Sequence, residues 1–330
     1  MAHIYRKFWL DPVGYCLDSK HGFLRSIGQT AYERQTRRYE DCGARHSDKK
    51  ITVIMTVFNT GKLVQAAIES VLAQTHQNFD LMVIDDASTD DTLDIVTAIA
   101  ATDARIKVFH SPKNHGTYWS KNWCLAQATT DFVAFHDSDD VSAPSRLQTQ
   151  LGALVSHKNT VSTTCRWRRV DEQGSLLTIN GMAARTAIIS LMIRRAVVVG
   201  RIGFFDTVRI AADLDFVSRI QQVFGRRGHK SMRQTLYTGL LRDGSLTRSG
   251  EGGYDWQVDG TEVSKQLNSG ARADYHAASA RWLADNRASP DLLYMEFPLE
   301  KRQFPAAEAI CRGCDDMDVA QVREMSATGT

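Results

Sequence analysis

The sequence has few cysteines, no long apolar run and no excess of charge of either sign. Six cysteines in 330 residues are too sparse for a disulfide framework. Cys16, Cys42, Cys124 and Cys165 are isolated and read as small hydrophobes or surface thiols. Cys311 and Cys314 have zinc-ligand spacing, but no second Cys/His pair lies at usable spacing, so a metal or redox role is disfavoured. No stretch approaches the ~18–20 apolar residues that span a bilayer. The best, Ala187 to Ile193, is stopped by Arg194 and Arg195. Met1 to Leu10 carries Arg6 and Lys7 where a leader would be apolar. A cytoplasmic enzyme is therefore the expectation. With 40 basic and 38 acidic residues the net charge is +2, which excludes a chain held to nucleic acid mainly by counterion release.

What is present is ordinary globular material, 43% hydrophobic and 24% charged. The length implies one large domain with appendages, or two domains. Residues 1–50 form an N-terminal arm, apolar at first and then basic, with a helix through Gly28 to Glu40. A packing arm with a solvated basic face is preferred to peripheral contact with an anionic membrane. From Ile51 the pattern is regular. Strands are expected at Ile51 to Val57, Leu81 to Ile84, Ile106 to Phe109 and Phe132 to Phe135. They alternate with helices over Leu63 to Ala73, after Ser88, and over Thr117 to Ala128, with Ser88, Asp90 and Asp91 as cap and first-turn acids. Such alternation means a doubly wound α/β fold with a mostly parallel sheet. Further on, helices are expected at Arg146 to Val155, Asp213 to Phe224 and Ala271 to Asp285. Strands are expected at Val161 to Val170, Ile188 to Ile193 and Ser231 to Leu241; the β pattern fades after Ser249, and the chain beyond Pro305 is expected to fray.

Ligands of open α/β sheets bind beyond the carboxyl ends of the strands. Thr56 to Asn59, Asp85-Asp86 and Asp137 to Asp140 fall at such ends. Burying an unpaired carboxylate costs several kcal/mol, so these acids need cations or donors. Hard oxygen ligands suit Mg²⁺ or Mn²⁺, completed by water and phosphate. That points to a metal-bridged nucleotide diphosphate. Neither G-x-G-x-x-G nor G-x-x-x-x-G-K-[ST] occurs in the sequence, which removes the main warrant for a dinucleotide dehydrogenase or a P-loop kinase.

Ile51-Thr-Val-Ile-Met-Thr-Val-Phe-Asn59, Ala67-Ile-Glu-Ser-Val-Leu-Ala-Gln-Thr75 and Val83-Ile-Asp-Asp-Ala-Ser-Thr-Asp-Asp91 together resemble the opening of a family 2 glycosyltransferase. So does Asp131-Phe-Val-Ala-Phe-His-Asp-Ser-Asp-Asp140, followed by Pro144 and Arg146-Leu147. The resemblance is dense over residues 51–150 and thins towards 248. It implies a GT-A fold over 51–248, divided into a nucleotide-sugar half (51–150) and an acceptor half with a smaller mixed sheet (151–248), with 249–330 as a C-terminal helical extension and tail. It also implies an inverting transfer from a UDP-sugar to a glycan or lipid-linked saccharide, of the kind found in bacterial capsule, lipopolysaccharide or other surface-polysaccharide synthesis.

Residue by residue, the resemblance places Thr56 and Asn59 beside the nucleoside, Asp86 on the uracil with Asp85 next to it, and Lys121 near the nucleotide. Asp137 and Asp139 form the Asp-x-Asp motif, Asp137 towards the ribose and the metal and Asp139 as the direct ligand of Mn²⁺ or Mg²⁺. Asp213 aligns with the general base that takes the acceptor proton, although Ala212 replaces the acid usual before it; Asp215 is the second choice. A helix cap is the alternative role for Asp213. Arg242 and Arg248 lie in a segment resembling the loop that folds over the diphosphate, without its usual histidine. Trp119 and Trp123 read as packing residues before sugar-stacking ones, and Asp206 as structural. Two other classes stay open: a degenerate sugar-nucleotide-binding scaffold, which the retained acids argue against, and a sugar-phosphate nucleotidyltransferase, which would need a glycine-rich basic loop after Val57.

Overall fold

Side chains alternate along a strand, so a strand buried on both faces must feed two cores. Strand β1 (Ile51–Val57) is buried throughout and does so. Ile51, Val53, Met55 and Val57 face one apolar cluster, whereas Ile54 faces another. The structure, a computed structural model, describes residues 22–242, 254–267, 270–314, 317 and 319–325, with side chains from residue 31 onward.

Parallel pairing joins β1 to β2 (Phe79–Asp86) and to β4 (Phe132–Asp137), and β2 to β3 (Ile106–Ser111). The central order is therefore β4-β1-β2-β3. The chain leaves β1 towards β2 and β3, then returns across β1 to lay down β4. This reversal puts a topological switch point at the carboxyl ends of β1 and β4, where Thr56 is in register with Asp137.

Helix α1 (Gly22–Ala44) precedes the sheet. Helices α2 (Leu63–Leu72) and α3 (Thr92–Ala100) follow β1 and β2, and their apolar stripes pack into the cluster that holds Val53 and Val83. Helix α4 (Thr117–Gln127) packs on the opposite face, where Trp119 and Trp123 are both buried in the core as packing residues. After the short strand β5 (Asp140–Ser142) and helix α5 (Arg146–Val155), the sheet turns mixed. Its strands are β6 (Ser162–Val170), β7 (Leu176–Ile179), β8 (Arg185–Thr186) and β9 (Met192–Arg194). Strand β9 bridges β4 and β6 antiparallel. Of the strand expected at Ile188 to Ile193, the first part is instead a 3₁₀ turn, Ile188–Ser190. Helices α6 (Arg195–Ile202) and α7 (Ala212–Phe224) follow, then β10 (His229–Leu240), which pairs with both β5 and β6.

Beyond Ser249 the sequence pattern misleads. Strands β11 (Tyr254–Asp259) and β12 (Glu262–Leu267) form a hairpin whose second strand pairs with β7. Helix α8 (Ala271–Asp285) spans the residues expected of it. The chain past Pro305 is not frayed throughout: a short helix, α9 (Glu308–Cys311), is followed by β13 (Arg323–Met325), antiparallel to β3. Tyr275, Trp282, Leu293, Phe304 and Ile310 belong to the same apolar cluster as Trp119 and Phe216. Cys311 is buried there and Cys314 is buried as well, and among the described residues no cluster of three or more metal-ligating side chains forms.

The described part of the N-terminal arm packs. Tyr39 is buried while Arg34, Arg37 and Arg38 are exposed. Its approach to α5 rests on two glycines: a Cβ on Gly43 would stand 2.0 Å from the Gln148 carbonyl oxygen, and one on Gly152 would stand 1.8 Å from that of Tyr39. We therefore expect Gly152→Ala to push the helices apart and destabilise the protein by roughly 1–3 kcal/mol, the usual cost of overpacking. Gly200→Ala, in α6 with nothing within 4 Å of the added carbon, should be neutral or stabilising by up to about 1 kcal/mol. Chemical denaturation of both variants checks the contrast.

Candidate active site

Three turns meet at the switch point, and side-chain bonds between them set their positions. At the end of β1, Asn59 has left-handed backbone geometry (φ 49°). Its amide donates to Ser88 Oγ at 3.0 Å, and its side-chain oxygen accepts the Thr89 amide at 2.8 Å. Ser88, expected to cap α3, is used here instead; Asp90 accepts the Thr92 amide at 3.0 Å. Thr92 Oγ1 in turn accepts the amides of Thr60 and Gly61 at 2.9 and 2.7 Å. Thr56, half a turn back, shares a 2.8 Å hydrogen bond with Thr117 at the start of α4.

The acids ending β2 are both buried. Asp85 accepts from the Ser88 amide at 3.2 Å and bonds His110 Nδ1 at 2.9 Å through one oxygen, while its other oxygen has no partner among the described residues. Asp86 accepts the His115 and Gly116 amides at 2.9 and 2.8 Å. Burial raises its pKa, and those two amides pull it back down.

The acids after β4 face cations. Lys121 Nζ lies 3.1 Å from Asp137 Oδ1, and Arg242 Nε lies 3.1 Å from Asp139 Oδ2. Both carboxylates keep solvent access, with side chains 30% and 22% exposed. Burial pushes the Asp139 carboxyl up; Arg242 opposes this and the charge of Asp137 adds to it. Asp140 is raised further, by burial and then by Asp139. It accepts the Leu240 amide at 3.1 Å. Mutually repelling, solvent-accessible hard oxygens are a donor set that fits Mg²⁺ or Mn²⁺, which takes only one or two carboxylates.

Sequence reasoning passed over the residues that hold this edge in place. Tyr237 accepts the Asp137 amide at 3.0 Å. Fully buried Arg146 donates to Ser142, Gln150 and the carbonyls of Phe135 and Ser190. Arg146 stood in a recognisable motif; nothing in the sequence marks Tyr237. Burial pushes His136 down to about 3, so this neighbour of Asp137 is a neutral imidazole.

Asp213 is the second residue of α7 and partly exposed; the N-cap position belongs to Ala211. Among the described residues its carboxylate accepts only the adjacent Leu214 amide, at 2.9 Å, so it is not a helix cap. Its charge acts on Tyr118, as does that of Asp137. Asp215 has a different occupation. It pairs with Arg219 at 2.8 Å, both side chains fully buried, and accepts from Ser279 at 2.6 Å. Arg219 also donates to the carbonyls of Ile202 and Phe204. Asp206 pairs with Arg302 at 2.7 Å. Arg248 lies outside the described residues.

Residues 52–200 match the family model for glycosyl transferase family 2. The chain carries a family 2 glycosyltransferase domain. The match spans every acid at the ends of β2 and β4 and stops before Asp213 and Arg242. Over 115 residues the chain is 35% identical to the UDP-Glc:alpha-D-GlcNAc-diphosphoundecaprenol beta-1,3-glucosyltransferase WfgD of Escherichia coli, covering 35% of this chain and 44% of that protein. Over 99 residues it is 32% identical to the glycosyltransferase GlyG of Streptococcus pneumoniae, covering 30% and 33%. The chain thus spans less than half the length of the curated relatives it matches. A solved structure of S. aureus TarS, residues 1–349 with UDP-GlcNAc, superposes with a TM-score of 0.51 at 22% identity over 61% of each chain. The mostly parallel sheet of the glycosyltransferase domain is accordingly of the GT-A type.

The two acids of α7 separate by their stability effects. Asp215→Asn leaves the buried Arg219 charge without its counterion and should cost about 3–5 kcal/mol. Asp213→Asn should leave the thermal midpoint within a degree or two of the parent. Thermal unfolding of the pair checks this.

Proposed function

We propose that this protein transfers a sugar, with inversion, from a UDP-sugar to a saccharide or lipid-linked saccharide acceptor, in the assembly of a bacterial surface polysaccharide. The observation that carries the reading is the placement of Asp137 and Asp139, solvent-accessible and close enough to perturb each other, at the switch point of a sheet within a family 2 match. That WfgD is named as a UDP-glucose-dependent transferase and that TarS was solved with UDP-GlcNAc support a uridine donor.

In this reading Thr56 and Asn59 line the nucleoside side, and Asp86 reads the uracil edge with oxygen lone pairs left over from the His115 and Gly116 amides. Asp85, fully enclosed, acts through the 85–88 turn it braces. Asp137 and Asp139 would hold Mn²⁺ or Mg²⁺, which when bound offsets the charge of the departing diphosphate. Lys121 and Arg242, already paired with those acids, add fixed positive charge on the same side; Arg248 belongs to the same basic segment. Asp213 takes the proton of the attacking acceptor hydroxyl. A base must be accessible and not committed to a cation; Asp213 meets both conditions and Asp215 neither.

Calorimetry of UDP and GDP in Mn²⁺ tests the donor side. UDP should bind more tightly than GDP, and Asp139→Ala should abolish the metal-dependent part of the affinity. A preference for GDP, or an unaltered metal dependence in Asp139→Ala, overturns these assignments. For the base, Asp213→Asn should lower turnover by roughly 10²–10⁴-fold, the range for positioned proton transfer, with UDP affinity kept. Near-normal turnover in that variant removes Asp213 as the base.

A further inference from the structure

Hairpin β11–β12 places a cation among aromatic rings. Lys265 Nζ lies 3.6 Å from the Tyr254 ring centre and 5.0 Å from that of Trp256. Arg272, at the start of α8, lies 4.9 Å from the same Tyr254 ring. Arg169 of β6 packs 3.9 Å from the Trp167 ring. It donates to the Leu240 carbonyl at 2.8 Å, while its buried Nε has no partner among the described residues. Among the described residues, Lys265, Arg169 and Arg185 take part in no salt bridge.

Burial, and then the charges of Arg169, Arg185 and Arg272, bring the Lys265 ammonium down to about 7; Asp213 acts in the opposite direction. Like charges gathered in a partly dry place are unfavourable unless an anion arrives to offset them. The neighbours also say on which side that anion belongs. Asp139 feels Arg242, Asp137 and Arg169, whereas Lys265 feels Arg169, Arg185, Arg272 and Asp213. Arg169 acts on both Asp139 and Lys265. Lys265 therefore groups with the acid that faces the acceptor, not with those that face the diphosphate.

We propose that Lys265, with Arg185, binds an anionic group on the acceptor, a phosphate or carboxylate carried by a saccharide whose ring lies against Tyr254 and Trp256. The assignment rests on the glycosyltransferase reading above for which side is the acceptor's. Aromatic faces accept the C–H surface of a sugar, and the cations select among sugars by charge.

The test uses the full chain and three probes: glucose, glucose 1-phosphate and glucuronate, each titrated calorimetrically with and without saturating UDP. At least one charged probe should bind roughly tenfold more tightly than glucose, the scale of a hydrogen bond to a charged group. Lys265→Met should erase that margin, and Lys265→Arg should restore most of it. A margin for glucose 1-phosphate alone identifies phosphate as the anion, and one for glucuronate alone identifies carboxylate. Equal binding of all three probes, or a margin that survives in Lys265→Met, overturns the proposal. So does a fall in UDP affinity in Lys265→Met, which would move the residue to the donor side. Failure of the parent protein to bind UDP would instead overturn the nucleotide-sugar reading, and the titrations without UDP would still decide whether Lys265 holds an anion.

Discussion

Carboxylates that end buried strands must be matched by donors or cations, because the sheet behind them offers no water. Asp85, Asp86, Asp137, Asp139 and Asp140 meet this constraint in different ways, and the differences organise the site. Asp86 and Asp140 are met by backbone amides, which fixes the loops that supply those amides. Asp85 is met by His110 and the turn at Ser88. Asp137 and Asp139 are met by long cationic side chains, Lys121 and Arg242, and keep contact with solvent. A carboxylate tied to backbone is architecture. One tied to a long cationic side chain can exchange that partner for a metal or a phosphate at modest cost.

The same logic extends to the arginines. Arg146 and Arg219 are fully buried, and each spends its guanidinium on carbonyls that sheet and helix leave over. Arg146 ties α5 to the ends of β4 and the 188–190 turn; Arg219 ties α7 to the 202–204 turn. The Asp213 position is thereby anchored through its neighbour: Asp215 and Arg219 lock the first turns of α7, so the free carboxylate two residues earlier is presented on a rigid helix end.

Much of this was legible in the sequence, for a physical reason. Strands β1 to β4 are buried on both faces, so their near-continuous apolar runs stand out, and the acids that end them mark the carboxyl edge. Helices α5, α7 and α8 were legible from their 3.6-residue stripes. The hairpin at 254–267 was not, because it lies near the surface and only Val263 is buried. Its turn did carry a signal, Asp259-Gly260, with Gly260 at φ 56°. Nor could spacing separate Asp213 from Asp215. That choice depends on Arg219, four residues further along the helix, and on Ser279, which arrives from a distant part of the chain. The tail was misread because its apolar residues fill gaps in a core built elsewhere and show no period of their own.

Strand β13 has a consequence for how the molecule behaves in company. A parallel sheet ending at β3 would present six residues of unpaired backbone, a template onto which another chain could add a strand. Met325 to Arg323 lie against Val108 to His110, and the Trp123 indole pins the same segment by donating to the Val319 carbonyl at 3.1 Å. The outermost edge becomes a strand of three exposed residues, two of them charged. Too short and too polar to recruit a neighbour, it blunts the β3 side of the sheet, so the last described segment of the chain guards that edge against strand addition.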